Sequence, residues 1–91
     1  MFYVYILKNA EDIFYVGQTN NLERRVSDHN SNHGAKFTKD TMGMKLVYSE
    51  RFSTRADAMK REMQLKKWSR AKKLALISGD MELLKMLSKG G

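Results

Sequence analysis

Five side chains in this chain could together work on a phosphodiester. Two are phenols in a pair of Tyr-Val-x triplets, Tyr3-Val4-Tyr5 and Tyr15-Val16-Gly17. A phenol beside an attacking water can relay its proton, and a second can hydrogen-bond a phosphate oxygen. Packing is the plainer role for either tyrosine. Arg25 and His29 follow at i, i+4. The planar guanidinium fork suits a phosphate, and the imidazole could hydrogen-bond the nucleophile or the leaving oxygen. A partly buried, satisfied histidine is the alternative for His29. Glu62 sits among apolar residues, where a carboxylate needs a partner, a metal or a shifted pKa. It could ligate Mg²⁺, which keeps most of its waters and takes only one or two carboxylates. It could equally sit in a salt bridge, with Arg25 as one candidate. Zinc fits poorly, because His29 and His33 lack a third soft ligand nearby and the chain has no cysteine.

The elements that must position these groups read as follows. Residues 2–7 and 13–18 are aromatic and β-branched, which predicts two strands, and Asn9-Ala10-Glu11-Asp12 between them is a turn by composition. They should pair as an antiparallel hairpin. A loop of about three residues would set Tyr5 opposite Tyr15, and one of about four would set it opposite Val16. Gly17 suggests a bulge or a close backbone approach. Asn20 as N-cap with Glu23 at N3 makes a capping box for a helix to about Ser31. On that helix Leu22, Val26, Arg25 and His29 fall on one face, read as core-facing, and Arg24 points the other way. An arginine and a histidine on an inward stripe conflict with simple patterning, as functional sites tend to.

Residues 30–43 are loop-like and hold His33, Lys36 and Lys39 around Phe37; a loop of this length is usually functional. Residues 44–52 read as a third strand. Thr54 with Asp57 opens a helix to about Trp68, with Ala58, Met59, Met63 and Leu65 as its apolar face and Glu62 in the middle. Ser69 restarts a helix to about Ile77, with Leu74 and Ile77 inward. Ser78-Gly79 breaks it, and Asp80 caps a last helix over 81–88. The stripe Met81, Leu84, Leu87 could cap the core or meet a partner.

Composition narrows the class. Ninety-one residues make a single domain with a small core, and 42% hydrophobic with 30% charged residues argues against disorder. With no cysteine there is no disulfide framework, and no apolar run approaches the roughly 18 residues of a membrane span. A cytoplasmic protein is the default expectation. The net charge of +7 favours polyanion partners, nucleic acid first. Between residues 55 and 73, Arg55, Lys60, Arg61, Lys66, Lys67, Arg70, Lys72 and Lys73 face only Asp57 and Glu62. This is either a solvated helix face or, beside Trp68, a platform for a phosphate backbone.

Taken together, these residues resemble the GIY-YIG nuclease superfamily, in particular its small stand-alone bacterial members and the structure-specific endonuclease subunits. Tyr3-Val4-Tyr5 stands at the first triplet of that family and Tyr15-Val16-Gly17 at the second. Leu22-Glu23-Arg24-Arg25 matches the helix segment that ends in the family arginine, and His29 matches the histidine one turn on. Glu62, in Arg61-Glu62-Met63-Gln64-Leu65-Lys66-Lys67-Trp68, matches the metal-binding glutamate. Gly34-Ala35-Lys36-Phe37-Thr38 also looks like the small members. The likeness covers residues 2–77. Two departures stand out: Tyr3 replaces the first glycine, and Ala75-Leu76-Ile77 stands where some larger members carry an asparagine.

The resemblance implies an α/β (α+β) domain with a small three-stranded antiparallel sheet flanked by helices. Residues 1–79 would be the nuclease domain, and 80–91 its C-terminal helix and tail. It implies a DNA endonuclease dependent on Mg²⁺ or Mn²⁺, acting on single-stranded or structured DNA in repair, recombination or DNA uptake. Tyr5 would be general base or relay, Tyr15 and Arg25 would hold the phosphate, His29 would assist, and Glu62 would anchor the metal. Lys36, Lys39, Lys66, Lys67 and Arg70 would contact the nucleic acid. The expected partners are DNA, single-stranded or branched before plain duplex, and a targeting protein, with no membrane. The rival is a non-catalytic nucleic-acid-binding module on the same fold.

Overall fold

The computed structural model describes residues 1–30 and 44–89, without the side chains of 27–30 and 89. Its elements run β1 (Phe2–Lys8), β2 (Phe14–Thr19), α1 (Leu22–Asn30), β3 (Lys45–Phe52), α2 (Arg55–Lys67), α3 (Arg70–Ser78) and α4 (Met81–Lys89). The three strands form one sheet in the order β2-β1-β3, with both neighbours antiparallel to β1. The central strand is also the most apolar, because it is covered on both faces.

Alternation along β1 divides the core in two. Val4 and Ile6 face one way, onto Ala58 and Leu65 of α2, Ala75 and Leu76 of α3, and Leu84 of α4. Tyr5 and Leu7 face the other way, onto Met44, with Tyr15 and the α1 residues Leu22 and Val26 packed around them. Helix α1 therefore covers one face, and α2, α3 and α4 cover the other.

The hairpin register differs from both sequence expectations. Tyr5 pairs with Gly17, and Leu7 with Tyr15. The loop takes residues 9–13, because Asn9 closes it from within. Its Oδ1 accepts from the N–H groups of Glu11 and Ile13, each at 2.9 Å, and Asp12 takes a left-handed φ of 63°. Asx side chains favour such turns and tolerate that φ. The register is thus two residues from the Tyr5–Tyr15 pairing. A two-residue slip preserves the facing of side chains, so both tyrosines still share a face.

The helix starts follow their caps. In α2, Thr54 Oγ1 accepts from Asp57 N–H at 3.2 Å, and in α3, Ser69 Oγ accepts from Lys72 N–H at 3.2 Å. Asp80 Oδ1 accepts from Leu83 N–H at 3.1 Å in α4. In α1 the N-cap is Asn21 and not Asn20. Thr19 Oγ1 draws in the Asn21 N–H at 3.1 Å, and Asn21 Oδ1 then accepts from Arg24 N–H at 3.1 Å. Two inward faces also differ from expectation. In α2 the buried residues are Ala58 and Leu65, while Met59 and Met63 are exposed; in α3 they are Ala75 and Leu76, while Leu74 is exposed. Leu84 and Leu87 of α4 pack on the core, which makes this helix a cap on it, and Met81 is exposed.

Candidate active site

The tyrosines come first because the sheet holds them most firmly. Tyr5 is only 4% exposed, and its ring lies across Gly17. A Cβ at Gly17 would sit 2.6 Å from Tyr5 Cζ and 3.2 Å from Cε1. Residue 17 must therefore be glycine for Tyr5 to occupy this place, which is the close approach its sequence position suggested. Tyr15 is half-buried on the same face, beside Tyr5 and under Leu22 and Val26 of α1. The second triplet thus ends in glycine to make room for the phenol of the first.

Arg25 stands one position before Val26 but is exposed. Among the described side chains, the inward stripe of α1 is Leu22 and Val26, and Arg25 borders it. This corrects the core-facing reading of the arginine: a helix this short rests on the sheet through a narrow stripe, and a guanidinium one position off that stripe reaches water. Arg25 opens onto a polar cleft of about 520 Å³ with Thr19, Asn20, Asn21 and Arg24. It also borders an adjoining cleft of about 220 Å³ with Phe2, Gln18, Thr19, Asn20 and Arg55. Arg24 was expected to point away, yet it lines the larger of these clefts. His29 lies on the backbone of α1, but its side chain is outside the described residues, as are Lys36, Lys39 and His33.

Glu62 lies on α2, on the opposite face of the sheet from α1. Its half-buried carboxylate receives Lys66 Nζ at 2.9 Å, so its ion partner among the described residues is Lys66 and not Arg25. Two observations place it on the β2 side of its helix. The preceding Arg61 reaches the other way, to Glu50 of β3. Arg55, seven residues earlier and about 10 Å along the same helical stripe, lines the cleft at the end of β2. The tyrosines and Glu62 are thus carried on opposite faces of the sheet, either side of its edge strand β2, and Arg25 and Arg55 meet around the end of that strand.

Sequence reading missed the network that fixes α2. Arg61 donates to Glu50 through Nε at 3.0 Å and Nη2 at 2.9 Å, and Tyr48 donates its phenol to the same carboxylate. Burial, then the bond to Glu50 and its charge, push the Tyr48 phenol up to about 12. Burial alone would lower the Arg61 guanidinium, but the Glu50 hydrogen bond and charge outweigh it and raise the group. Trp68 lies between Arg61 at 5.1 Å and Lys72 at 4.4 Å from its ring centre. A usable signal was present: Tyr48 and Glu50 are two apart on one strand face, and Arg61 lies three after the buried Ala58. Arg70 is similarly engaged. It lies 4.5 Å over the Phe14 ring and donates to the Asp12 carbonyl, which ties α3 to the hairpin loop. Lys67 is exposed.

This geometry can be set beside known proteins. The GIY-YIG catalytic domain matches residues 1–75. The chain belongs to the GIY-YIG family. A UPF0213 protein of Clostridium perfringens is 49% identical over 78 residues, 86% of this chain and 84% of its own length. One from Natronomonas pharaonis is 44% identical over 78 residues, 86% of this chain and 92% of its own. The solution NMR structure of the UPF0213 protein from Bacillus halodurans superposes with a TM-score of 0.56 at 38% identity, covering 86% of this chain and 84% of that one. The solution NMR structure of a protein from E. faecalis gives 0.60 at 34% identity, covering 87% and 84%. The shared fold is the three-stranded antiparallel sheet with its helices. GIY-YIG nucleases act on nucleic acid and typically use a divalent metal.

The donor set can be tested against such a metal. Among the described residues no three His, Asp or Glu side chains gather as a cage. One half-buried carboxylate, Glu62, lies on α2 about two turns beyond Arg55, which lines the basic cleft. A lone carboxylate suits Mg²⁺ or Mn²⁺, hard cations that hold to one or two carboxylates and keep their waters. No helix among the described residues is long and apolar enough to cross a membrane.

Proposed function

We propose that this GIY-YIG domain is a metal-dependent DNA endonuclease that hydrolyses phosphodiesters in single-stranded or structured DNA, in repair, recombination or DNA uptake. The observation that carries the reading is the placement of Tyr5 and Tyr15 on one sheet face under α1, whose Arg25 opens onto a polar cleft with no ion pair among the described residues. Tyr5, pinned over Gly17, acts as general base or relay: its oxygen takes the proton of the attacking water while the phenol's own proton passes on to solvent. Tyr15 donates a hydrogen bond to a phosphate oxygen. Arg25 neutralises the phosphate through its fork, which stabilises charge in the transition state more than in the ground state. His29 assists at the nucleophile or the leaving oxygen. Glu62 would hold the divalent ion, with Lys66 giving way; the ion supplies Lewis-acid stabilisation of the phosphate charge. Lys36, Lys39 and Lys67 contact the strand, joined by Lys66 once it leaves Glu62 and by Arg70 through the donors it does not spend on Asp12.

The test is cleavage of labelled single-stranded, duplex and branched DNA with Mg²⁺, with Mn²⁺ and with chelator, beside Glu62→Gln. Wild type should cut only with a divalent ion. Glu62→Gln should lose cutting by at least about 100-fold, the scale on which a positioned charge counts, and keep its circular dichroism. Undiminished cleavage by that variant overturns the assignment. One observation favours the rival, a non-catalytic binding module: Lys66 already neutralises Glu62. That reading predicts salt-sensitive DNA binding indifferent to Glu62 and to divalent ions.

A further inference from the structure

We propose that the cleft between the starts of α1 and α2 is a docking site for the two backbone phosphates that flank the one that is cut, one held by Arg24 and the other by Arg55. The proposal deepens the nuclease reading and rests on it only for the place of the cut phosphate, at Arg25. Two cavities adjoin here and share Thr19, Asn20 and Arg25. The larger adds Arg24, and the smaller adds Arg55 with Gln18 and Phe2. Among the described residues no carboxylate lines either one. Among the described residues none of the three guanidiniums has an ion pair or a side-chain hydrogen bond, whereas Arg61 and Arg70 are both engaged.

Three guanidiniums around one cleft, with no partner among the described residues, repel each other, and a polyanion would relieve that repulsion. A single small anion would need only one fork. Two adjoining cavities with Arg25 shared and a separate arginine in each fit successive phosphates of one strand. Thr19, Asn20, Asn21 and Gln18 add hydroxyl and amide donors, which suit phosphate and sugar oxygens. Arg24 and Arg55 are then binding residues that set how the strand lies across Arg25.

The test reads binding, so it stands whether or not the protein cuts. A fluorescent single-stranded oligonucleotide is titrated with the wild-type chain in chelator, and with Arg24→Gln, Arg55→Gln and, on α4, Lys85→Gln. The two arginine variants should bind roughly 5- to 10-fold more weakly, and each should lower the slope of log K against log salt by about 0.7. Lys85→Gln should match wild type. A single neutral methylphosphonate linkage, moved along the oligonucleotide, should reproduce the Arg55→Gln loss at one position and add nothing to that variant there. If both arginine variants bind like Lys85→Gln with unchanged slope, the site is overturned. If inorganic phosphate competes as well as a trinucleotide of equal phosphate concentration, the cleft is a simple anion pocket and the strand proposal falls. Loss of cleavage in wild type with this binding pattern intact would count against the nuclease reading alone.

Discussion

At the scale of single residues, the contact between Tyr5 and Gly17 ties fold to chemistry. The ring fills the space that any Cβ at 17 would need. Gly17→Ala should therefore force the phenol aside. Overpacking of this kind costs about 1–3 kcal/mol, to be read as a lower urea midpoint, and cleavage should fall further than stability explains. Tyr5→Phe keeps the packing and removes only the hydroxyl, so the pair of variants separates shape from proton transfer. The glycine was legible as a close approach, but its partner was not, because that depends on a register set by Asn9 and Asp12 in the loop. Arg25 was legible as an arginine beside the inward stripe of α1. Its exposure was not, since a stripe read at 100° per residue does not say how deep the helix sits.

At the scale of elements, α2 does two jobs with neighbouring residues. Arg61 anchors the helix to β3, and Glu62 faces the β2 side. The Arg61–Glu50 pair is about one-fifth exposed on each side, at 23% and 21%. Hydrogen bonds to charged groups in such places contribute about 1.5–3 kcal/mol. Glu50→Gln should lower stability on that scale by urea denaturation. It should also weaken the response of cleavage to divalent ion, because α2 loses the tether that sets the rotation of Glu62. Sequence patterning named Ala58, Met59, Met63 and Leu65 as the inward face. The helix buries Ala58 and Leu65 and exposes the two methionines; the small Ala58 lets it lie close to β1, with Arg61 and Glu62 on the turn between.

At the scale of the whole molecule, charge decides behaviour. The net charge of +7 is not spread as a uniform platform. Arg61, Lys72, Arg70, Lys66 and Lys8 are each taken up by a ring, a carbonyl or a carboxylate within the described fold. The cations left over include the three that gather at the Arg25 cleft. Alkaline stability should report the Tyr48 cluster. The folded Tyr48 phenol, at about 12, lies above the ordinary value of 10.0, so between these limits the unfolded chain loses its proton first. The group's contribution is complete below pH 10 and is lost as pH rises through about 12. Tyr48→Phe should remove that part of the fall in urea midpoint, and leave the profile below pH 9 parallel to wild type.

The sequence by itself determined the element order, the three capped starts at Thr54, Ser69 and Asp80, and the choice of Tyr5, Tyr15, Arg25 and Glu62 as the groups to follow. Caps and alternation are local, and local rules need no partner to be read. Only the tertiary structure decided that Tyr5 lies on Gly17, that Glu62 meets Lys66, and that Arg24, Arg25 and Arg55 share one cleft. Each of those joins residues through loop length, helix depth or the sheet face a helix covers, which are properties of the packed chain and not of any stretch of it. The two triplets, read first as paired phenols, are a phenol and the glycine that seats it.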